Sequence, residues 1–278
     1  MRKGRRLRRG QTINQTILVI LAIIWAVPLM ILLMDVFKST EEIKSNPFGF
    51  PKELYFESMI DAMTNPNRTV WQLYFNTAIC TVGGVFFTIL FGSMASYYIA
   101  RAKTKLAEFF RNYFFLGMVL PGVLTIVSLA LVLRWLGLMG KGHLTLIILY
   151  TSSMLPICIY IFTSFIESLP RELEYAAAID GATRMQIFWR VVFPLLKPAT
   201  ATLTMSVGIG LWNNFMTPKL YGGGMETVSL GIYNALGAYS SDWSRVFTWV
   251  FLASAPAVIA FLCLQKYYVE GMSGAVKG

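Results

Sequence analysis

Residues 174–181 read Glu-Tyr-Ala-Ala-Ala-Ile-Asp-Gly, and residues 191–194 follow as Val-Val-Phe-Pro. The first stretch consists mostly of good helix formers and stops at Gly181, a residue type that readily takes the positive φ that ends a helix. Both stretches belong to a charged segment, residues 167–197, which separates two long apolar runs. A charged helix on a loop between membrane-spanning runs is typical of a contact with a soluble partner.

The apolar runs on either side of this loop belong to a set of six, which together indicate a membrane protein. The chain of 278 residues is 56% apolar and 14% charged, whereas soluble domains contain about a quarter charged residues. Each run is about as long as the roughly 17–25 residues that a helix needs to cross hydrocarbon. The runs are residues 13–34, 77–100, 113–133, 144–165, 200–216 and 246–264. The sequence therefore predicts an all-α integral membrane protein of six transmembrane helices in one domain, residues 1–278.

The distribution of basic residues predicts the orientation of these helices. The formal net charge is +10, and two thirds of the 24 Lys and Arg residues fall on the side that carries both termini and the 167–197 loop. Lys and Arg are enriched in cytoplasmic loops, so both termini are predicted to be cytoplasmic. The first apolar run is longer than the roughly 7–15 residues of a signal peptide, which favours a retained first span. The basic charge thus reflects topology, and no nucleic-acid partner is predicted.

The 167–197 loop itself is predicted to contain two helical stretches. Pro170 suits the first position of a helix, and residues 171–180 predict about three turns, roughly 16 Å in length. A second stretch follows at residues 184–192, after which Pro194 and Pro198 are expected to bend the chain back into the membrane.

An amphipathic helix lying on lipid is the structural alternative for the first stretch. Three acidic residues, Glu172, Glu174 and Asp180, argue against it because anionic headgroups would repel them. A groove on a protein would accept the same residues.

Several kinds of chemistry lack the residues they need. The sequence has no G-x-x-x-x-G-K-[ST] phosphate-binding loop, and its one histidine, His143, cannot form a zinc protease motif. We therefore predict no catalytic residue, no metal site and no ATP site in this chain. Asp35, Arg134 and Glu167 lie at the ends of predicted spans, so no span centre offers a charged ion site. A transporter of this kind would have to take its energy from a partner.

The loop motif resembles that of the permease subunits of type I ABC importers, specifically their carbohydrate branch, and the resemblance covers nearly the whole chain. In that family the loop has the form E-A-A-x3-G-x9-I-x-L-P, which Ala176, Ala177, Gly181 and Pro194 match in spacing. Asp180 also follows the sugar-branch form. Tyr175 stands where the motif has its glutamate, which in the family is expected to pair with a basic residue of the ATPase. Glu174 precedes that position and is the candidate substitute.

Two further stretches carry the resemblance to the carbohydrate branch. Trp212-Asn213-Asn214-Phe215 resembles the W-N-x-F stretch near the end of the fifth span. The C-terminal residues 265–278, which end in Gly-Ala-Val-Lys-Gly, are similar to the tails of sugar-importer permeases.

The resemblance implies a function, a location and a set of partners. The chain is expected to form half of the pore of an ATP-driven, binding-protein-dependent sugar importer in a bacterial or archaeal cell membrane. Its implied partners are a second homologous permease, an ABC ATPase dimer that binds ATP and Mg²⁺, an extracellular sugar-binding protein and the lipid bilayer. A non-sugar solute and a self-contained secondary transporter remain alternatives.

The same resemblance assigns roles to particular residues. The ATPase-coupling residues are expected to be Glu174, Tyr175, Ala176, Ala177, Asp180, Gly181 and Pro194. Trp212, Asn213 and Asn214 are candidates for lining the sugar path, although the two asparagines equally suit hydrogen bonds between helices. The external loop before the last span supplies candidates for contact with the binding protein: Tyr221, Tyr233, Asn234, Tyr239 and Trp243.

Overall fold

A computed structural model of the chain describes residues 2–66, 68–236 and 242–275, with no side-chain description for residues 2–13, 123, 264 and 266–275. Fourteen α-helices occur within these ranges, and none of the described residues is in a strand. The helices are α1 Arg2–Asp35, α2 Thr40–Ser45, α3 Glu57–Thr64, α4 Val70–Arg101, α5 Lys105–Val119, α6 Ile126–Trp135, α7 His143–Ser168, α8 Glu172–Ile179, α9 Arg184–Ile187, α10 Phe193–Leu195, α11 Lys197–Trp212, α12 Met216–Tyr221, α13 Val228–Ala235 and α14 Trp243–Ala275. The all-α prediction is confirmed.

Four of the predicted spans correspond to single helices that are long and apolar enough to cross a membrane. They are Asn14–Asp35 in α1, α4, α7 and Trp243–Cys263 in α14. The mean hydropathy of their most apolar windows is 3.0, 1.9, 1.9 and 2.2. Each of these four helices overlaps a predicted run, and the largest difference is at the start of α4, which begins at Val70 where the run begins at residue 77.

The predicted third span, residues 113–133, is not one continuous helix. Helix α5 ends at Val119, a 3₁₀ turn follows at Gly122–Thr125, and α6 starts only at Ile126. The cause is Pro121, which lacks an N–H group and disfavours helical backbone at the residue before it. Leu120 accordingly has an extended ψ of 123°.

The predicted fifth span, residues 200–216, is shorter and bent. Helix α11 has 16 residues and ends at Trp212, so Asn213 caps it and Met216 already belongs to α12. The residues Arg184–Leu195 and α11 together are long and apolar enough for a span, but they meet at an angle of 73°. Pro194 and Pro198 flank this bend, as predicted from the sequence.

By its internal contacts the chain divides into two compact units, residues 1–70 with 232–254 and residues 71–231 with 255–278. The single domain over residues 1–278 stays a prediction. The first unit contains a buried ion pair at the end of α1. Lys38 Nζ lies 2.6 Å from Asp35 Oδ1 and donates to the Asn46 carbonyl at 2.9 Å, and the lysine is fully buried.

The second unit has a hydrophobic core that the spans share with the 167–197 loop. Helix α4 contributes Cys80, α7 contributes residues such as Phe162, and α11 contributes residues such as Leu203. Phe188 and Val192, which follow α9 in the loop, are members of the same cluster and are 2% and 1% exposed. The loop is therefore built into the core of the spans at its C-terminal half.

Glycines let α4 and α7 pack closely in this unit. A Cβ atom added at Gly92 would lie 2.5 Å from Cys158 Sγ, and one at Gly83 would lie 2.8 Å from Ile147 Cδ1. Real Cβ atoms do not approach neighbours this closely, so the helix spacing depends on both glycines.

Candidate functional site

Helix α8 is the centre of the candidate site, and local sequence determines both of its ends. It runs over eight residues, Glu172–Ile179, and is therefore shorter than predicted by one residue at each end. Pro170 lies outside the helix because Arg171 occupies the N-cap position, which corrects its predicted place at the first helical position.

At its C-terminus α8 ends in a Schellman motif. Gly181 has a φ of 82°, its N–H bonds to the Ala178 carbonyl at 3.1 Å, and the Ala182 N–H bonds to the Ala177 carbonyl at 3.0 Å. This is the pair of hydrogen bonds by which a left-handed residue ends a helix, and glycine is the residue that adopts it without strain. Asp180 occupies the C-cap position immediately before it.

The next helix, α9, starts at Arg184, two residues after Ala182, and Thr183 is its N-cap. The Thr183 hydroxyl accepts from the Gln186 N–H at 3.3 Å, and Gln186 Oε1 accepts from the Thr183 N–H at 2.8 Å. This capping box fixes the start of α9. A π-helical segment, Phe188–Val192, then leads to Pro194, which lacks the N–H group that a regular α-helix would use there.

The two faces of α8 have different surroundings. Tyr175, Ala176 and Ile179 are exposed, and Ile179 is 87% exposed although it is apolar. Ala177 packs against the hydrophobic core on the opposite face. Positions 175, 176 and 179 follow the helical i, i+1, i+4 spacing of one outward surface, which is the surface available to a partner.

Glu174 points inward and is bound within the chain. Its Oε1 accepts from Arg101 Nε at 2.7 Å, and its Oε2 accepts from the Tyr97 hydroxyl at 2.9 Å. Arg101 also donates to the Leu169 carbonyl at 3.1 Å. Both charged side chains are only 13% exposed, so this three-residue cluster of Tyr97, Arg101 and Glu174 attaches α8 to the end of α4.

This cluster changes the interpretation of Glu174 as a substitute for the motif glutamate. The carboxylate faces α4, whereas Tyr175 is 59% exposed on the outward surface. Adjacent helical residues are about 100° apart, which accounts for the difference in direction. Sequence reasoning missed Tyr97 and Arg101 because they lie more than 70 residues before Glu174, and only the fold brings them together.

The residues predicted to line a sugar path lie at the end of α11. The Trp212 ring centroid is 6.3 Å from that of Tyr74, Asn213 is exposed, and Asn214 Oδ1 accepts from the Thr217 N–H at 3.0 Å. Asn214 thus stabilises the start of α12. Asn213 and Trp212 both have accessible surface, and their side chains take no part in the hydrogen bond to Thr217.

The residues predicted to contact a binding protein divide into three groups. Tyr221 is 4% exposed and its hydroxyl donates to the Ile126 carbonyl at 2.9 Å, which corrects its predicted surface position. Tyr233, Asn234 and Trp243, which belong to the first unit, are exposed. Tyr239 lies outside the described residues.

A second polar network at the other end of α4 was not anticipated. The imidazole of His143 lies 3.0 Å from Asn76 Oδ1 through its Nε2 atom, and Asn76 Nδ2 donates to the Glu226 carbonyl at 2.9 Å. The Thr77 hydroxyl accepts from the Val228 N–H at 3.0 Å. These bonds tie the starts of α4, α7 and α13 together. The described ranges contain no group of three or more His, Cys, Asp or Glu residues that is arranged to hold a metal ion.

Comparison with known proteins gives the family. Residues 84–273 match the family described as "binding-protein-dependent transport system inner membrane component". The chain belongs to this family. The match covers more than half of the sequence and includes the whole 167–197 loop, so the resemblance inferred from the loop motif is confirmed.

Two relatives and one solved structure illustrate the similarity. The melibiose/raffinose/stachyose import permease protein MelC of Bacillus subtilis is 31% identical, with 98% of this chain and 100% of MelC covered. The diacetylchitobiose uptake system permease protein NgcG of Streptomyces coelicolor is 29% identical, with 96% and 88% covered. A bacterial ABC transporter involved in the import of the acidic polysaccharide alginate contains a chain of the same fold, with a TM-score of 0.80, 22% identity and coverage of 94% of this chain and 97% of that one.

The chain is therefore a multi-pass membrane permease of a binding-protein-dependent importer. Family membership and the relatives' roles as transport permeases indicate a transport subunit rather than an enzyme. The 167–197 loop has an exposed surface on α8, and its C-terminal half packs in the core of the spans.

Proposed function

We propose that this permease forms half of the translocation pore of an ATP-driven importer for sugars or oligosaccharides in a bacterial or archaeal cell membrane. The observation that carries the proposal is α8, whose outward surface is exposed while its other face is fixed to α4 and to the core of the spans. The carbohydrate class is supported by the relatives, whose names include melibiose, raffinose, stachyose and diacetylchitobiose.

The proposal includes three kinds of protein partner. A second homologous permease would complete the pore, two ATPase subunits would bind ATP and Mg²⁺, and an extracellular binding protein would deliver the sugar. The family description, which names binding-protein-dependent transport, supports the last of these. The composition of this chain supports placing ATP on the partner because its sequence has no phosphate-binding loop.

In the proposed mechanism, the outward surface of α8 docks on one ATPase subunit. Tyr175, Ala176 and Ile179 would enter a groove, and the small alanine allows close approach of the helix backbone. Closure of the ATPase dimer would move α8, and the movement would pass into the spans by two routes. One route is the ion pair between Glu174 and Arg101 of α4, and the other is the shared hydrophobic core.

We propose six membrane crossings with both termini in the cytoplasm. The third crossing would comprise α5, the turn at Gly122–Thr125 and α6, and the fifth would comprise the bent pair of Arg184–Leu195 and α11. Interrupted helices are tolerated in a membrane where neighbouring protein satisfies the freed backbone groups. The excess of basic residues on the side of the 167–197 loop supports the orientation.

Sugar contacts are proposed at the end of α11, and contacts with the binding protein are proposed in α13 and at the start of α14. Trp212 and Asn213 offer an aromatic face and an amide, which are groups that suit the C–H faces and hydroxyls of sugars. Tyr233, Asn234 and Trp243 are the exposed candidates for contact with the binding protein.

The decisive experiment measures ATP hydrolysis by the complex that co-purifies with this chain, reconstituted with its binding protein. A panel of disaccharides and oligosaccharides is added one at a time, and stimulation by one sugar is the expected result. An ATPase indifferent to every sugar would contradict the carbohydrate class and favour a non-sugar solute. Transport by the chain alone, without an ATPase, would contradict the proposal as a whole.

A further inference from the structure

A groove of about 830 Å³ lies between the last two turns of α4 and the helices α8 and α9. Its walls differ along their length. Along α4 the lining runs from Met94 through Tyr97 and Tyr98 to Arg101, and the loop helices add Arg171 and Arg184 as well as Met185, Ile187 and Phe188. The wall on α4 thus changes from apolar at Met94 to charged at Arg101.

The two arginines carry charge that the chain does not neutralise. Within the described residues, the guanidinium groups of Arg171 and Arg184 make no ion pair or hydrogen bond. The one acidic residue in the groove wall is Glu174, and both of its oxygens are already bound by Arg101 and Tyr97. The groove therefore keeps two positive charges for a ligand.

The dimensions of the groove match the boundary of a bilayer. Met94 and Arg101 are seven residues apart on α4, which corresponds to about 10 Å along the helix axis. Since the interfacial layer on each side of the hydrocarbon is roughly 5–8 Å thick, a groove of this length at a membrane surface would extend from the headgroup level into the acyl chains. An amphiphile with an anionic head fits this gradient, whereas a free anion would leave the apolar end unoccupied.

A second concavity of about 690 Å³ adjoins the groove and shares Arg101 and Arg171 with it. Lys103, Lys105 and Arg111 also line this neighbour, together with Glu108 and Glu167, so its lining has more basic than acidic side chains. Basic pockets between membrane helices on the cytoplasmic side are a recognised way of binding anionic lipid headgroups.

We infer that this groove is a binding site for an anionic phospholipid, with the phosphate at Arg171 and Arg184 and an acyl chain along Met94 and Tyr98. The inference goes beyond the transport function and requires only that this end of α4 lies at a membrane surface. A lipid bound here contacts Ala178 of α8 at the groove wall, so it also helps to hold the docking helix in place.

The test is native mass spectrometry of the full-length chain, released from a mild detergent that contains equal amounts of phosphatidylglycerol and phosphatidylcholine. We expect the wild type to retain phosphatidylglycerol in preference. Each arginine near a membrane surface contributes enough that R171Q/R184Q should lower its retention by about tenfold or more. The matched control is R134Q/K141Q, which removes the same charge from exposed residues elsewhere, and it should retain phosphatidylglycerol as the wild type does.

Two results of this measurement would overturn the inference. They are equal retention of both lipids by the wild type, and unchanged retention of phosphatidylglycerol by R171Q/R184Q.

A second measurement does not depend on the folding of the arginine variant. A photo-crosslinking amino acid placed at Tyr98, which is 43% exposed in the groove wall, is activated in membranes that contain the whole complex. An adduct with phospholipid is expected. An adduct with a polypeptide would overturn the inference and assign the groove to a protein partner. Sugar-stimulated ATP hydrolysis by the unmodified complex tests the transport function separately.

Discussion

Replacing Glu174 by alanine is expected to release α8 from the end of α4. The variant removes the acceptor of two hydrogen bonds and leaves Arg101 without its carboxylate. Breaking a buried ion pair by removing one partner costs about 3–5 kcal/mol, whereas an exposed pair contributes about 0–1 kcal/mol. Because both side chains are 13% exposed and Arg101 keeps its bond to the Leu169 carbonyl, we expect a cost of about 2–4 kcal/mol.

Hydrogen–deuterium exchange of the reconstituted chain measures this loss of free energy locally, in α8. The amides of residues 173–182 exchange through local opening, so a loss of about 2–4 kcal/mol should accelerate their exchange by roughly 30- to 1,000-fold. A double-mutant cycle with Arg101→Ala then isolates the energy of the pair from the loss of packing.

The chain offers a matched control at the neighbouring pair of Arg111 and Glu167. These two side chains are 47% and 43% exposed, so Glu167→Ala should cost less than about 1 kcal/mol. Equal acceleration in the Glu167 and Glu174 variants, or none in the Glu174 variant, would refute the reasoning that burial makes the difference.

Three further predictions concern single positions. Gly181→Val should lower uptake without lowering the amount of chain in the membrane. A Cβ atom at this position would meet nothing within 4 Å, but a β-branched residue at a φ of 82° costs about 1–2 kcal/mol. Gly181→Asn should retain more uptake than the valine variant because asparagine tolerates this backbone conformation. Gly92→Ala should destabilise the chain by about 1–3 kcal/mol in thermal unfolding because its Cβ would lie 2.5 Å from Cys158 Sγ, and adding Cys158→Ala should restore part of the loss. Tyr175→Glu should reduce uptake several-fold and Tyr175→Phe should preserve it, because Glu174 faces inward and the partner would contact the tyrosine side chain. Full uptake by the glutamate variant would show instead that the partner still accepts the carboxylate of the family motif.

The sequence was sufficient to predict the parts of the fold that depend on local patterns. The apolar runs that became α1, α4, α7 and α14 were visible because each is long and lacks internal breaks. Gly181 was correctly interpreted as a helix end because its φ is determined within a few residues. The break at Pro121 was present in the sequence, but a proline inside an apolar run is also compatible with a continuous helix, as Pro156 in α7 shows.

The environment of the candidate site depended on the fold and was beyond the reach of local patterns. The direction of Glu174 follows from the position of Arg101, and the two residues are 73 positions apart. Tyr221 was expected at the surface because it lies in a polar loop, but the tertiary structure places its hydroxyl against the Ile126 carbonyl. In both cases the deciding partner is distant in sequence, and for Tyr221 it is a backbone carbonyl, so composition and spacing carry no signal.

The lack of buried side chains in the most apolar window of α1 has a consequence for how sequence varies along the chain. None of the side chains in its most apolar window is buried, whereas 39% of those in the corresponding window of α7 are. Residues that touch only lipid are restricted in hydrophobicity and not in shape, so α1 should accept almost any exchange among Leu, Ile, Val, Met and Phe. A saturation mutagenesis map would then show α1 as a permissive helix, and any stripe of intolerant positions along it would mark the face that another protein chain covers.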